Sequence, residues 1–157
     1  MYDVRASLRS VNEVGKSQHQ NLHPDLHPLL LEFHRINALP LRAVWRVYTE
    51  ECLNEIILEF DDDCLVVAAE PSDDTIVFHL VPKKDFKSGG SINASHSEPW
   101  RGFIGEEFGW GWITINQQDA LDGILLSFGG ITPQIMLSVM ASTIKESIIR
   151  QPSEKSG

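Results

Sequence analysis

Long apolar runs are absent from this chain of 157 residues: no stretch reaches 18 consecutive apolar residues, the minimum for a helix that spans a membrane. The first 20 residues also lack the apolar stretch of a secretory signal. Hydrophobic residues nevertheless make up 42% of the chain, which is enough for one packed core and too many for a disordered protein. We therefore expect a cytoplasmic protein with a single domain that binds no membrane.

Cysteine is scarce, and the two cysteines are expected to lie far apart. Cys52 and Cys64 fall at opposite ends of a predicted hairpin made of residues 53–60 and 64–70. A strand of that length separates them by roughly 26 Å, whereas a disulfide needs Cα atoms within about 7 Å. The sequence therefore predicts two free thiols.

Basic residues are also few, 13 against 22 acidic residues, which gives a formal net charge of −9. Between Glu50 and Asp74 there are ten acidic residues and no Lys or Arg. Nucleic acids and anionic membranes are bound by clustered Lys and Arg, so neither is expected as a partner. An acidic segment fits a basic protein surface or a cation. Its alternative interpretation is a set of solvated turns that keep the protein soluble.

The familiar catalytic and metal-binding motifs are missing. The chain contains no G-x-S-x-G, no P-loop and no H-E-x-x-H. His19, His23 and His27 recur every four residues, but Pro24 and Pro28 interrupt the helix that would align them. No Cys or paired carboxylate completes a zinc site. We predict no catalytic residue, no metal site and no cofactor, and enzymatic activity is not favoured.

The remaining pattern is typical of strands, preceded by one helix. Apolar residues recur at helical spacing over 28–36, with Pro28 in the first turn and Pro40 after the last, which predicts a short helix. Beyond Pro40, apolar segments alternate with turn residues. The predicted parts are a polar tail 1–24, a β-rich domain 25–149 that contains a meander 41–81, a long loop 82–99 and a meander 107–149, and a disordered tail 150–157.

An internal repeat relates the two meanders. With a constant offset of 68, residues 41–60 align without a gap on 109–128, so that Phe60 meets Phe128. Thr75 then corresponds to Thr143, which makes the last apolar segment strand, either broken before Ile144 or continuing through it. We expect a mainly β fold in which two related antiparallel meanders pack as a sandwich or a partly open barrel, with one short N-terminal helix.

Acidic residues are expected to converge at one end of the first meander. Successive turns of a meander lie at alternate ends of its sheet, so its first and third turns share one end. The residues placed there are Glu50, Glu51, Glu70, Asp73 and Asp74. No EF-hand spacing is present, which argues against a dedicated calcium site. This acidic end is the first candidate binding surface.

Aromatic residues alternate with glycine at the start of the second meander. In Phe108-Gly109-Trp110-Gly111-Trp112 the aromatics share one face and the glycines the other. The repeat places the glycine face, together with Ile113, in the core. Trp110 and Trp112 are then either covered by the helix that carries Leu29, Leu30 and Phe33, or exposed as a binding patch.

The turn after this strand is a further candidate. Asn116, Gln117 and Asp122 lie at or beside it, and it matches the first turn of the first meander. Its amides and carboxylates are typical both of a polar binding site and of ordinary turn chemistry.

A spaced set of residues runs through the second meander: Trp100, Ile104-Gly105, Trp112, Asn116-Gln117-Gln118, Asp122-Gly123, Phe128 and Ala141-Ser142. With these residues, the stretch 100–144 resembles a family of small, uncharacterised bacterial proteins, a domain of unknown function. Where that family reads N-Q-Q-G-Y, this chain has Asp119 and Ala120 after the two glutamines. The first meander is similar to the family's N-terminal half. The resemblance implies a bacterial source and a cytoplasmic setting, and it carries no activity or catalytic residue.

Together these features favour a non-enzymatic protein-binding module. It would recognise a basic protein surface through its acidic end, with Trp110 as an aromatic anchor. Two alternatives stay open. One is a carboxylate-based or metal-dependent hydrolase that works at the same end. The other is a structural or assembly protein that dimerises through a strand edge or through the Trp face.

Overall fold

The structure, a computed structural model, describes residues 26–152. The predicted tail 1–24, with His19 and His23, lies outside these residues. The first element is the helix α1, Leu26–Arg35, which confirms the predicted helix and begins two residues earlier. Among the described residues, no helix is long and apolar enough to cross a membrane.

The first sheet has five antiparallel strands in the order β4-β3-β2-β1-β5. Its strands are β1 (Ala43–Thr49), β2 (Cys52–Glu59), β3 (Asp63–Glu70), β4 (Thr75–Pro82) and β5 (Ile92–Asn93). The first four strands form the predicted meander. The fifth comes from the predicted long loop, where Ile92 and Asn93 pair with the free side of β1.

The second sheet is an antiparallel meander of four strands in the order β6-β7-β8-β9. Its strands are β6 (Phe108–Ile115), β7 (Leu121–Phe128), β8 (Ile135–Met140) and β9 (Thr143–Ile148). The last apolar segment is therefore two strands, broken before Ile144. Ala141 and Ser142 join them with φ angles of 51° and 60°, as a two-residue hairpin turn with the right-handed twist of its strands requires.

The two sheets stack face to face, with β4 against β7 and β2 against β9. Alternate residues of each strand point inward and are buried, among them Leu58 and Leu65 of the first sheet and Leu126 of the second. Trp100 and Phe103, from the connection between the sheets, are fully buried in the same core. The mainly β fold is confirmed: within residues 26–152 the strands form two open sheets and no closed barrel.

The repeat needs a one-residue correction in β6. Trp45 pairs with Ile57 in the first sheet, and Trp112 pairs with Leu125 in the second. Leu125 stands 68 residues after Ile57, but Trp112 stands only 67 after Trp45, so the gapless alignment is wrong at this strand. The second hairpin holds one more residue between equivalent positions because its turn and bulge are longer. A second bulge, at Gly109, has a larger effect on the faces described below.

The side of the sandwich formed by β1 and β9 is joined by a buried ion pair. The Arg46 guanidinium of β1 lies 2.8 Å from the carboxylate of Glu146 on β9. The indole N–H of Trp100 donates to the same carboxylate at 2.6 Å, and Arg46 also donates to the carbonyl of Glu98 at 2.7 Å. Charges at these depths are stable only when paired in this way.

Candidate functional site

Helix α1 closes the opposite side of the sandwich, between the edge strands β4 and β6. It covers the edge of β4, because the Glu32 carboxylate accepts a hydrogen bond from the backbone N–H of Leu80 at 2.8 Å. An edge strand that is capped in this way is protected from pairing with another chain.

The contact between α1 and β6 rests on one aromatic ring and one glycine. The ring of Phe33 lies against Gly111, where a Cβ would stand only 2.5 Å from the nearest ring carbon. The same ring stacks on Phe78 at a centroid distance of 4.9 Å and on Phe108 at 5.9 Å. Only glycine leaves room for the ring at position 111, so this residue sets how closely the helix approaches the strand.

Beside this contact, α1 and β6 leave an open groove of about 430 Å³, which we call the α1–β6 groove. Its lining is mostly apolar and comprises Leu26, Leu30, Phe33, His34, Asn37, Ile115 and residues 108–113. Leu30 and Trp110 expose 39% and 48% of their surface. The volume and the apolar lining are typical of a ligand-binding cleft.

The strand that forms one wall of the α1–β6 groove has a free edge. β6 is the first strand of its sheet and pairs on one side with β7. On its other side the backbone of Phe108 bonds to Ala38 and Leu39, and beyond Phe108 no residue in 26–152 pairs with it. The rest of β6 thus presents unpaired N–H and C=O groups next to an apolar groove, which is the arrangement that accepts an added strand.

The predicted glycine face is the inner face: Gly111 and Ile113 pair with the buried Leu126 and Ile124. Phe108, however, is buried in the core and does not share a face with the tryptophans. The bulge at Gly109 reverses the alternation between Phe108 and Trp110.

The helix does not cover the tryptophans. Phe33 packs on the glycine side of β6 because the missing Cβ at Gly111 admits its ring. Trp110 is half exposed and Trp112 is partly buried. The cover hypothesis is therefore wrong for Trp110, which borders the α1–β6 groove from the outer face of the sheet.

A second, polar groove of about 700 Å³ lies where three turns meet at one end of the sandwich. This turn groove is lined by residues 71–74, Asn116, Gln118, Ala120 and residues 139–142. The Asp74 carboxylate holds two of the turns together by accepting the backbone N–H of Ser142 at 2.6 Å. The groove begins where β6 ends, because Asn116 follows Ile115 directly.

The structure brings three of the predicted site residues, Asp73, Asp74 and Asn116, into the turn groove. Asp73 accepts from the N–H and hydroxyl of Thr75 at 3.2 and 2.6 Å. The amide oxygen of Asn116 accepts from the N–H groups of Gln118 and Ala120 at 2.9 and 3.2 Å. These bonds fix the turns, and the acidic groups stay at the surface.

The other predicted residues lie elsewhere. Glu50 and Glu51 form the β1–β2 turn, and Glu70 ends β3; none of them lines the turn groove. Gln117 is exposed, and Asp122 accepts the Thr114 hydroxyl at 2.8 Å. Within residues 26–152, no group of three or more His, Cys, Asp or Glu side chains is placed to hold a metal ion.

A sequence model of an existing protein family matches residues 27–153, which is most of the chain. The chain belongs to the family of unknown function DUF6334. No curated protein and no solved structure matches it. Both grooves lie within the stretch that defines this DUF6334 member.

The outer face of the first sheet in this DUF6334 protein is closed and offers no comparable site. Phe86 packs on Trp45 at a centroid distance of 6.0 Å. Burial opposes ionisation of Glu59, but hydrogen bonds from Lys83 at 2.6 Å and Trp45 at 2.9 Å outweigh it and hold the pKa of Glu59 below its usual value. Burial and the charge of Glu59 raise the pKa of the Cys64 thiol to about 11.

The helix side of the α1–β6 groove was not identified from the sequence. Leu26, His34 and Asn37 belong to a helix whose partner strand is distant in the chain, so no local pattern connects them to Trp110. The available signal was the pair of glycines inside a strand, which indicates that another part of the molecule approaches closely.

Proposed function

We propose that this DUF6334 protein is a non-enzymatic protein-binding module and that the α1–β6 groove receives its partner. The observation that supports this most strongly is the free edge of β6 beside an apolar groove bordered by the half-exposed Trp110. Exposed aromatic anchors beside a preformed cleft are typical of binding hot spots. The turn groove adds acidic residues next to the same strand.

Site-specific photo-crosslinking in the cells of origin tests this proposal. A benzoylphenylalanine at position 110 should form an adduct with a partner protein, because this side chain reaches over the α1–β6 groove. The matched control carries the same group at Val77, which is similarly exposed, at 42%, on the outer face of the first sheet.

A blocking variant separates specific from accidental adducts. Leu30→Arg places a charge in the α1–β6 groove at a position that is already 39% exposed, so the fold should tolerate it. The adduct at position 110 should then disappear. If positions 110 and 77 give the same adducts, or if Leu30→Arg leaves the adduct unchanged, the groove is not the binding site.

The assembly alternative is read from the same experiment. Exposed strand edges pair with other copies of the same chain as readily as with foreign ones. An adduct at position 110 that contains only this protein would assign the groove to self-association in place of partner binding.

A further inference from the structure

We propose that the α1–β6 groove takes an extended segment of another protein, which adds to β6 as an antiparallel strand and carries basic residues at its N-terminal end. This inference rests on the proposed function and gives the chemistry and the direction of the partner.

The backbone of β6 shows which groups an added strand would meet. A residue in an antiparallel ladder directs its N–H and C=O to the same neighbour. The carbonyl of Leu126 accepts the N–H of Gln134, on the β8 side, at 2.9 Å, so Leu126 does not bond to β6. Its pair, Gly111, therefore directs both groups to the free edge, and Ile113, two residues further along the strand, does the same.

The faces of β6 fix the side chains of the partner. Residues directly opposite in a ladder point to the same face. Partner residues opposite Gly111 and Ile113 would point inward, towards Phe33 and Leu30 of α1, and must be apolar. Residues opposite Trp110 and Trp112 would lie on the outer face beside the indoles. An alternation of apolar and polar residues is therefore required.

Charge sets the ends of the segment. Where β6 ends, the added strand would run past Asn116 into the turn groove, beside Asp73 and Asp74. No Lys or Arg of the described chain lines either groove, and residues 50–74 contain ten acidic residues without a single Lys or Arg. In an antiparallel pair the N-terminal end of the partner meets this end of β6, so its basic residues lie there.

The probe is a synthetic peptide, Lys-Lys-Ser-Val-Thr-Val-Thr-Ser, with a fluorescein at its C-terminus. Binding to the full chain is followed by fluorescence anisotropy. Methylation of the backbone nitrogen of one valine removes a ladder hydrogen bond and obstructs the edge; it should weaken binding roughly tenfold or more. Moving the two lysines to the C-terminus, or replacing them with glutamates, should also weaken binding.

Paired variants test the charges. Asp73→Asn with Asp74→Asn keeps the oxygens that accept the turn hydrogen bonds and should weaken the lysine peptide about fivefold. The matched control, Asp62→Asn with Asp85→Asn, removes the same charge at the opposite end of the sheet and should change the affinity little.

Several results would overturn the inference. It fails if no peptide binds, if the N-methylated peptide binds as well as its parent, or if the C-terminal lysines bind better. It also fails if the protein is a dimer that Leu30→Arg dissociates, which assigns the groove to a second copy. Binding that appears only after removal of residues 1–19 assigns it to the chain's own N-terminal segment. A groove-specific crosslink together with any of the peptide failures leaves the proposed function standing and removes only strand addition.

Discussion

Gly111→Ala tests whether the spacing between α1 and β6 depends on a missing methyl group. The new Cβ would stand 2.5–2.6 Å from three ring carbons of Phe33, where ordinary contacts begin at 3.4 Å. The ring must therefore retreat by about 0.9 Å, which is the difference between 3.4 and 2.5 Å. It cannot retreat freely because it stacks on Phe78 and Phe108.

The cost of this substitution follows from two opposing effects. Overpacking of a filled core destabilises by about 1–3 kcal/mol. Alanine also restricts the unfolded chain, which returns about 0.4–1 kcal/mol at a position without positive φ. We expect a net loss of about 1–2 kcal/mol in the free energy of unfolding, and a melting temperature lowered by roughly 2–8 °C.

A double-mutant cycle with Phe33→Ala, measured by urea denaturation, identifies the cause. Phe33→Ala alone should cost about 3–5 kcal/mol. In its background Gly111→Ala should cost nothing, because the ring that it displaces is absent. The coupling free energy should then be about 1–3 kcal/mol. Gly89→Ala is the control, since its Cβ would meet nothing within 4 Å. A cost for Gly111→Ala that stays the same without the ring would refute this reasoning.

Three further predictions concern buried and titrating groups. Arg46→Met should cost about 3–5 kcal/mol by stranding the Glu146 carboxylate, and replacing both residues with apolar ones should cost less; equal costs would contradict this. Since the pKa of Glu59 is lowered, its contribution to stability is present above about pH 4.5 and is lost as pH falls, so Glu59→Gln should flatten the urea midpoint there. At pH 8 the native chain should titrate one thiol, Cys52, and Cys64 only after unfolding.

Much of the fold was predictable because its signals are local. The helix, the eight strands of the two meanders and the two free thiols follow from alternation, turn residues and spacing. Thr75 and Thr143 both begin strands, as the repeat predicted. The prediction failed at Phe108 because one bulged glycine reverses every side chain that precedes it, and no period-2 pattern records a bulge.

The candidate site was less predictable because it is assembled from distant parts of the chain. Trp110, Asp73, Asp74 and Asn116 were selected by composition, and the structure places them along or beside β6. The helix wall and the free edge of β6 depend on how the sheets are ordered and on where α1 packs. Those are properties of the tertiary structure, which residue type and spacing do not determine.

The ion pair between Arg46 and Glu146 also bears on how the chain is made. Its two residues are separated by 100 positions, so β1 leaves the ribosome long before its counter-charge is synthesised. A first sheet that closed early would bury a guanidinium with no carboxylate, at a cost of several kcal/mol. Stable folding must therefore wait until β9 has been translated, and a chain truncated before Glu146 should be degraded as an unfolded protein.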